Sequence, residues 1–418
     1  MNHVRNQTQT NTDHSSESPD VASAISNVVN PEKNQTQTNT DHSSESPHVA
    51  SAISNAMKIV IATPLYPPEI GGPATYAKLL EEGLPGKGIE VELVKFSDVR
   101  HLPNAVRQTM YCRNILKCAR SADVILALDA VSVGWPVYVA SFFLRKKFIV
   151  KIVGDHIWEQ GTQRFGVTDT LDNFPRFLWR WHPYLWFLRA LQLRVARSAT
   201  RIIVPSEYLK RIVSAWGVPS EKIHVVYNAV TLEAAGIVPP PVAALPHPLV
   251  VTAGRLVPWK NIDGVIDAVS GIAGASLVVI GDGPLRAELE KRAQEKLTGR
   301  FIFTGALSHK DTLAVMQSAD ALALNSTYEG LSHLLIESLM LGVPTIATNV
   351  GGNPEVIMDG EDGLLVPSND ASALAGALSR VLGDDAFRAR LSARAKESSK
   401  RFSVEVMLEA TVSEFKNI

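Results

Sequence analysis

The sequence predicts an α/β protein with two doubly wound domains, each a parallel sheet covered by helices. Three observations lead to this prediction. From Met57 onward, short apolar runs alternate with longer amphipathic ones, which is typical of parallel strands joined by helices. The alternation occurs twice, on either side of a proline-rich stretch. The chain of 418 residues is also too long for one ordinary hydrophobic core. We therefore expect two Rossmann-like domains that face a central cleft.

The first half, residues 57–235, contains five apolar runs of the length of buried strands. These predicted strands are 58–62, 90–96, 124–128, 147–153 and 201–204. Amphipathic or apolar runs between them predict helices at 74–82, 135–144, about 177–197 and 207–216. This half would form the N-terminal domain.

A proline-rich stretch separates the halves, because Pro239, Pro240 and Pro241 are soon followed by Pro246 and Pro248. Proline blocks regular structure, so the stretch is predicted to be a linker. The second half, residues 249–402, repeats the pattern. Its predicted strands are 249–253, 276–280, 301–304, 321–324, 345–348 and 363–366, and its predicted helices are 261–271, 284–296, 310–318 and 331–341. A last helix, about 403–418, is expected to return to the first domain.

The first 56 residues differ from the rest of the chain. Residues 6–27 recur almost unchanged as residues 34–55, and both copies are rich in Asn, Gln, Thr and Ser. Such a composition buries too little apolar surface to offset the entropy of ordering. We expect a disordered, duplicated tail and a folded protein that begins at Met57.

Composition excludes several classes of protein. A formal net charge of -1 gives no general attraction to nucleic acid. Cys112 and Cys118 have neither zinc-ligand spacing nor the number needed for a disulfide framework, so they are predicted to be free thiols in a reducing compartment. The apolar run 131–144 is too short to span a bilayer and is predicted to be a buried helix. No secretory signal is visible, and we expect a cytoplasmic location.

The most informative stretch starts just after a predicted strand, where Glu329 precedes Gly330-Leu331-Ser332 and Glu337 follows eight residues later. Free N–H groups and the positive end of the dipole make a helix N-terminus a natural site for a diphosphate. A carboxylate in the loop can accept sugar hydroxyl groups, and one deeper in the helix can accept a pair of ribose hydroxyls. For Glu337 alone, a surface position on an amphipathic helix is an equally good interpretation.

Other loops at predicted strand ends carry polar or glycine-rich motifs. These are Pro67-Pro68-Glu69-Ile70-Gly71-Gly72, Gly154-Asp155-His156, Gly254-Arg255-Leu256 with Lys260-Asn261, Gly281-Asp282-Gly283-Pro284, and the segment 342–355. We expect Asp155 and His156 to face the cleft, where Asp155 would contact the substrate.

Together, these motifs resemble glycosyltransferase family 4, a retaining family with the GT-B fold and a Glu-x7-Glu motif. The resemblance spans Met57 to nearly the C-terminus. It implies metal-independent transfer from a nucleotide-sugar donor to a glycan or lipid-linked acceptor, as in polysaccharide biosynthesis, with no cofactor. Arg255 and Lys260 would neutralise the donor diphosphate. Glu329 would bind the transferred sugar and Glu337 the ribose.

The resemblance also implies that Gly71, Gly72 and Gly281 line the donor site, because glycine allows close approach of the backbone. Many members have Glu-Gly-Phe-Gly where this chain has Glu329-Gly330-Leu331-Ser332, so the identity of the sugar stays open. His333 is either a donor contact or a helix-surface residue. A nucleotide-sugar epimerase of the same fold and a non-catalytic sugar-nucleotide-binding protein are alternatives. A dinucleotide oxidoreductase is disfavoured, since residues 64–72 lack Gly-x-Gly-x-x-Gly.

The stretch 174–189 interleaves aromatic residues with arginines. Packing of a helix pair on the first sheet is the favoured interpretation, because Pro183 interrupts a single long amphipathic helix. The alternative is peripheral contact with the inner face of a membrane that carries a lipid-linked acceptor.

Overall fold

A computed structural model describes residues 56–418 except 70, 175–179, 181 and 235. The tail predicted to be disordered therefore lies, up to residue 55, outside the described residues. Within the aromatic stretch 174–189, the structure describes residues 174, 180 and 182–189.

The first domain is built on a parallel sheet with the strand order β2-β1-β3-β4-β5-β6. Its described strands are β1 (Met57–Thr63), β2 (Ile89–Lys95), β3 (Val124–Ala127), β4 (Lys147–Lys151), β5 (Arg201–Val204) and β6 (Ile223–Val225). Uninterrupted apolar runs such as Val124–Ala127 are buried along their whole length, as expected for strands covered on both faces. The three-residue edge strand β6 is not among the strands predicted from the sequence.

Helices cover both faces of this sheet. They are α1 (Gly72–Gly83), α2 (Asn104–Cys118), α3 (Gly134–Leu144), α4 (His156–Arg164), α5 (Pro183–Ser198) and α6 (Glu207–Ala215). Helix α5 begins later than predicted, at Pro183, since the fixed φ angle of proline suits the first turn of a helix. Helices α2 and α4 are not among the predicted elements.

The second domain repeats this plan with a second parallel sheet, in the order β12-β11-β10-β7-β8-β9. Its described strands are β7 (Leu249–Ala253), β8 (Ser276–Ile280), β9 (Phe301–Gly305), β10 (Ala321–Leu324), β11 (Thr345–Thr348) and β12 (Leu364–Val366). Four of them have the predicted bounds. Two parallel sheets of this kind confirm the predicted fold class.

The remaining helices belong to the linker, to the second domain and to the C-terminus. They are α7 (Pro240–Ala243), α8 (Ile262–Ser270), α9 (Arg286–Leu297), α10 (His309–Gln317), α11 (His333–Leu341), α12 (Asn353–Val356), α13 (Ala371–Gly383), α14 (Asp385–Ser398) and α15 (Val404–Lys416). The predicted irregular linker contains the short helix α7, because proline is tolerated in a first helical turn.

The C-terminal helix α15 lies on the first domain. The Tyr76 and Thr411 hydroxyl groups are 3.2 Å apart, and Arg201 forms an ion pair of 2.6 Å with Glu414. Phe415 is buried in the core that lies under β1 and α1. The chain therefore crosses between the domains twice.

Helix α3 is only partly the buried helix that the sequence predicts. Val137 and Ala140 are buried, but Phe142 and Phe143 are each 70% exposed. No helix among the described residues is long and apolar enough to cross a membrane. Both cysteines are free, and burial raises the pKa of Cys118 to about 11, which keeps this thiol protonated.

Candidate active site

Glu329 lies in the loop after β10, at the carboxyl end of the second sheet. Its Oε1 atom accepts hydrogen bonds of 2.6 Å from Lys260 Nζ and from Ser326 Oγ. Lys260 ends a short 3-10 helix after β7, and Glu329 is 9% exposed. The two charges compensate each other at the edge of the cleft, and the second carboxylate oxygen is left for a ligand.

A cavity of about 240 Å³ lies between the domains beside this ion pair. The first domain contributes Gly72, Pro73, Tyr76, Leu128, Lys151, Val153, Glu159 and Asn228, and the second contributes Trp259, Tyr328, Glu329, Gly330, Leu331 and His333. Carboxyl ends of parallel strands supply most of these residues, which is where doubly wound sheets bind ligands.

Helix α11 begins at the cavity. Ser332 is its N-cap, and its hydroxyl group accepts a hydrogen bond from the Leu335 N–H. Gly330, Leu331 and His333 line the cavity. The loop and the first turn of α11 therefore meet the cavity, as the sequence predicts for an anion site.

His333 lines the cavity, so it is not the helix-surface residue of the second alternative. A Cβ atom placed on Gly72 would lie 3.8 Å from His333 Cε1, so the first turn of α1 and the first turn of α11 face each other across the cleft. Burial lowers the pKa of His333, which favours the neutral imidazole. The neighbouring Gly71 has a φ angle of 152°, a conformation that glycine adopts readily and other residues rarely do.

Glu337 lies one turn deeper in α11, on the same side as a histidine of α10. His309 Nε2 donates a hydrogen bond of 3.0 Å to Glu337 Oε1. This hydrogen bond raises the pKa of His309. The Glu337 side chain is only 13% exposed, so it is not the surface residue of the alternative interpretation. A ribose that reaches Glu337 must share it with His309.

Arg255 and Gly281 lie at the ends of neighbouring strands. Arg255 follows β7, is exposed, and makes no ion pair among the described residues, so its guanidinium group is available to a ligand. Gly281 packs closely against the preceding loop, since a Cβ atom there would lie 2.0 Å from the Gly254 carbonyl oxygen. Its glycine lets the β8 loop approach the β7 loop that carries Arg255.

The expectation that Asp155 faces the cleft needs correction. Asp155 is fully buried and caps α4, because its Oδ1 atom accepts hydrogen bonds from the N–H groups of Ile157 and Trp158. Its Oδ2 atom lies 2.6 Å from Arg189 NH2. Both oxygens are thus engaged within the first domain, and Asp155 lines none of the cleft cavities. His156 lines a second hollow of about 450 Å³ on the first domain.

Several cavity residues were missed by reasoning from the sequence, among them Lys151, Glu159 and Asn228. Lys151 is the last residue of β4, Glu159 lies one turn into α4, and Asn228 follows β6. Burial, followed by the charges of Asp155 and Asp129, raises the pKa of Glu159 to about 7. The available signal is a lysine inside an otherwise apolar predicted strand, 147–153, and a glutamate one helical turn after an N-cap.

The domains are joined beside the cavity by a second carboxylate. Glu355, in α12 of the second domain, accepts hydrogen bonds of 2.8 Å from the main-chain N–H groups of Glu207 and Tyr208 at the start of α6. The Tyr227 hydroxyl group donates a third bond, of 3.2 Å. Ser206 Oγ donates a bond of 2.7 Å to the Gly330 carbonyl oxygen. The Glu355 carboxylate, at the N-terminus of α6, therefore helps to hold the two domains in this geometry.

Metal ligands are not clustered in the described part of the chain, which holds no group of three or more His, Cys, Asp or Glu side chains placed to bind an ion. Lys260 and Arg255 both follow β7, at the carboxyl end of a strand of the second sheet.

Two family models match the chain. Residues 70–234 match the model of "Glycosyltransferase Family 4", and residues 241–398 match that of "Glycosyl transferases group 1". The two matches are adjacent and together include every described strand except β1.

Curated relatives are similar over part of the chain. The lipopolysaccharide core biosynthesis glycosyltransferase LpsE of Rhizobium meliloti is 33% identical over 165 residues, which are 39% of this chain and 48% of LpsE. The 2-deoxystreptamine glucosyltransferase of Streptomyces kanamyceticus is 30% identical over 220 residues, 49% of this chain and 56% of that enzyme. The chain thus spans about half the length of these relatives.

Solved structures share the fold across most of the chain. Anabaena HepE, crystallised with UDP, has a TM-score of 0.67 at 19% identity and covers 87% of this chain and 100% of its own. Sucrose-phosphate synthase from Thermosynechococcus elongatus has a TM-score of 0.68 at 20% identity, with 86% and 98% covered. At such identity the likeness concerns the fold alone.

Proposed function

The chain belongs to the group 1 and family 4 glycosyltransferases, and from this premise we propose that it transfers a sugar from a nucleotide-sugar donor to an acceptor in the cleft. The observation that supports this most is the pairing of Glu329 with Lys260 at the mouth of a cavity capped by α11. This pairing brings together a carboxylate that can accept hydrogen bonds from sugar hydroxyl groups, a cation and a helix N-terminus.

In the proposed complex the donor lies along α11. Its ribose hydroxyls reach Glu337, its diphosphate meets the start of α11 with Arg255 and Lys260, and the sugar enters the cavity beside Glu329. Relatives support a nucleotide donor, since HepE was crystallised with UDP and a Mycobacterium tuberculosis relative is named as GDP-mannose-dependent. As the bond from the anomeric carbon to the diphosphate breaks, the cations and helix N–H groups stabilise the charge of the leaving group.

We further propose that the anomeric configuration is retained and that no metal takes part. The acceptor hydroxyl attacks from the side of the leaving diphosphate and passes its proton to a phosphate oxygen. In this proposal Glu329 binds the sugar: Lys260 and Ser326 hold its Oε1 atom, its second oxygen accepts a sugar hydroxyl, and the reaction needs no protein nucleophile. Proton NMR of the product reports the anomeric configuration, and turnover that persists in EDTA supports the role given to the cations.

Donor binding is tested by thermal unfolding with UDP-, GDP-, ADP- and TDP-sugars. A true donor at a hundred times its dissociation constant stabilises the folded state by about 2.7 kcal/mol. Arg255→Ala and Glu337→Gln should lose this stabilisation. Arg292→Ala serves as the matched control, since Arg292 pairs with Asp267 on helices α9 and α8 outside the cavity. If no nucleotide sugar stabilises the wild type, or if all three variants respond alike, the proposal is wrong.

We also propose that the first domain touches an anionic membrane through exposed aromatic side chains. These are Phe142 and Phe143 at the end of α3 and Tyr184, Trp186 and Phe187 in the first turns of α5, which are 45–70% exposed. Helices α3 and α5 pack together, since Arg194 Nε donates a hydrogen bond of 2.9 Å to Tyr138. Leu185 and Leu188 face the core instead, so only part of the aromatic stretch packs inward. Exposed aromatics beside basic residues suit a membrane interface.

Sedimentation with vesicles of phosphatidylcholine and phosphatidylglycerol tests this contact. The double substitution Phe143→Ser with Phe187→Ser should reduce binding several-fold. Ile237→Ser is the control, because Ile237 is 77% exposed elsewhere on the surface. Equal binding by all three proteins would refute the membrane contact and leave the donor site untouched.

A further inference from the structure

Lys151 is an unusual residue for the interior of a protein. It ends β4, is 1% exposed, and its Nζ atom has no hydrogen-bond partner among the described residues. Its Nζ atom lies over the ring of Tyr76, 3.7 Å from the ring centroid. No described carboxylate lies within ion-pair distance. A buried ammonium group without a counter-ion is costly, so folding alone does not account for this lysine.

Two more unsatisfied polar atoms line the same cavity. Asn228 Oδ1 and the Tyr328 hydroxyl group are buried and have no hydrogen-bond partner in the described part of the chain. Buried polar groups in proteins are nearly always hydrogen-bonded. Three such groups around one cavity of about 240 Å³ indicate that a polar ligand completes their hydrogen bonds.

The charges around the cavity favour an anion near Lys151. Glu329 is already neutralised by Lys260. Burial raises the pKa of Glu159 to about 7 and lowers that of His333, so both side chains tend toward their neutral forms. Tyr76, with its pKa raised to about 12, is neutral as well. Burial lowers the pKa of Lys151 to about 7 as well, and Lys151 is the unpaired amine of the cavity that a bound anion would convert to an ammonium group.

This inference rests on the proposed function. We propose that Lys151 makes the cavity selective for a sugar that carries its own carboxylate or phosphate group, such as a uronic acid. The donor diphosphate is a less suitable partner for Lys151, because in the proposed complex it binds to Arg255 and Lys260 of the second domain. Lys151 lines both the cavity of about 240 Å³ between the domains and the hollow of about 450 Å³ on the first domain. The anionic group can therefore belong to the transferred sugar or to the acceptor.

Binding measurements with matched ligands test the proposal. The donor arm compares UDP-glucose with UDP-glucuronic acid, UDP-galactose with UDP-galacturonic acid, and GDP-mannose with GDP-mannuronic acid. The acceptor arm compares glucose with glucuronic acid and glucose 6-phosphate in the presence of UDP or GDP. We expect the wild type to prefer the anionic ligand at least tenfold in one arm, and that arm identifies the source of the anion.

The substitution Lys151→Met should abolish this preference while leaving the affinity for UDP or GDP alone unchanged. Lys147→Met, at the exposed start of the same strand, is the control. Calorimetry at pH 8 in buffers of different ionisation enthalpy adds a second measurement: because the pKa of Lys151 is lowered to about 7 in the free protein, binding of an anion should take up a proton in the wild type and not in Lys151→Met.

Two results would overturn the inference alone: nucleotide binding with no preference for anionic sugars in either arm, or an equal loss of affinity for bare UDP or GDP in Lys151→Met. The second result would assign Lys151 to the diphosphate. Failure of every nucleotide to bind would instead overturn the proposed function, and this inference with it.

Discussion

Replacing Lys151 by Met is expected to stabilise the free protein at neutral pH. Methionine has a similar length, keeps the contact with the Tyr76 ring, and carries no charge into the interior. Most substitutions of a fully buried side chain destabilise a protein. The opposite sign is expected here because the lysine is unpaired.

The size of the effect follows from the pKa of the lysine. Burial lowers this pKa from 10.5 to about 7, and each pKa unit corresponds to about 1.36 kcal/mol. At pH 7, protonation of Lys151 therefore stabilises the unfolded state by about 4 kcal/mol, and the folded state has no matching gain. The free energy of unfolding of Lys151→Met should exceed that of the wild type by about this amount. For a folded part of this length, that corresponds to about 5 °C in the melting temperature.

The pH dependence distinguishes this cause from improved packing. The unfolded state binds the extra proton between pH 7 and about 10, so the wild type gains stability relative to Lys151→Met as the pH rises through this range. Calorimetric or fluorescence melting at pH 7 and pH 9.5 measures the gap in melting temperature between the wild type and Lys151→Met at each pH, with Lys147→Met as the control. A variant less stable than the wild type at pH 7, or a gap that does not shrink at pH 9.5, would refute the reasoning.

Three further outcomes are expected. Asp155→Ala leaves Arg189 as a buried, unpaired charge and removes the cap of α4, so urea unfolding should show a loss of about 3–5 kcal/mol; a loss below about 1 kcal/mol would contradict the ion pair. Glu355→Gln weakens the hydrogen bonds to the start of α6 by roughly 1–3 kcal/mol, and small-angle scattering should show a larger radius of gyration; unchanged scattering would speak against this contact as the clamp of the cleft. The pKa of His309 is raised by its hydrogen bond to Glu337, so the stability from this pair is present at low pH and lost as the pH rises through that pKa. In Glu337→Gln, NMR titration of the imidazole should give a pKa closer to 6.5, and an identical titration curve would rule the pairing out.

The sheets were the predictable part of the fold. Strands covered on both faces are continuous apolar runs, which is why strands such as Ala321–Leu324 have the predicted bounds. Helices exposed along one side give a weaker signal. Helix α2 begins directly after Pro103 and carries polar residues at about half of its positions, so its start is marked by local geometry rather than by an apolar stripe.

The candidate site was predictable where it depends on order along the chain. Glu329 and Lys260 follow strands of one sheet, and strand ends of a parallel sheet meet at one edge. Residues that depend on packing between elements were missed. Lys151 lies inside the predicted strand 147–153, but its contact with Tyr76 of α1 and its place in the cavity beside α11 depend on how these helices pack. Asp155 was expected to face the cleft, but the helix starts at residue 156, so Asp155 caps it, while Glu159, for which no role was predicted, lines the cavity.

The contacts that hold the domains and the contacts that would hold a donor share the same loops. Gly330 lines the cavity, and its carbonyl oxygen also accepts the hydrogen bond from Ser206 of the first domain. The main-chain N–H group of Gly352, three residues before Glu355, donates a bond of 3.0 Å to the Glu329 carbonyl oxygen. A movement of the domains would thus displace the loop that carries Glu329. Because a ligand shifts such an equilibrium only by its difference in affinity for the two states, an anion that pairs with Lys151 from the first domain and with the second-domain loop at once would favour the closed cleft. Selectivity for the sugar and closure around it would then depend on the same contacts.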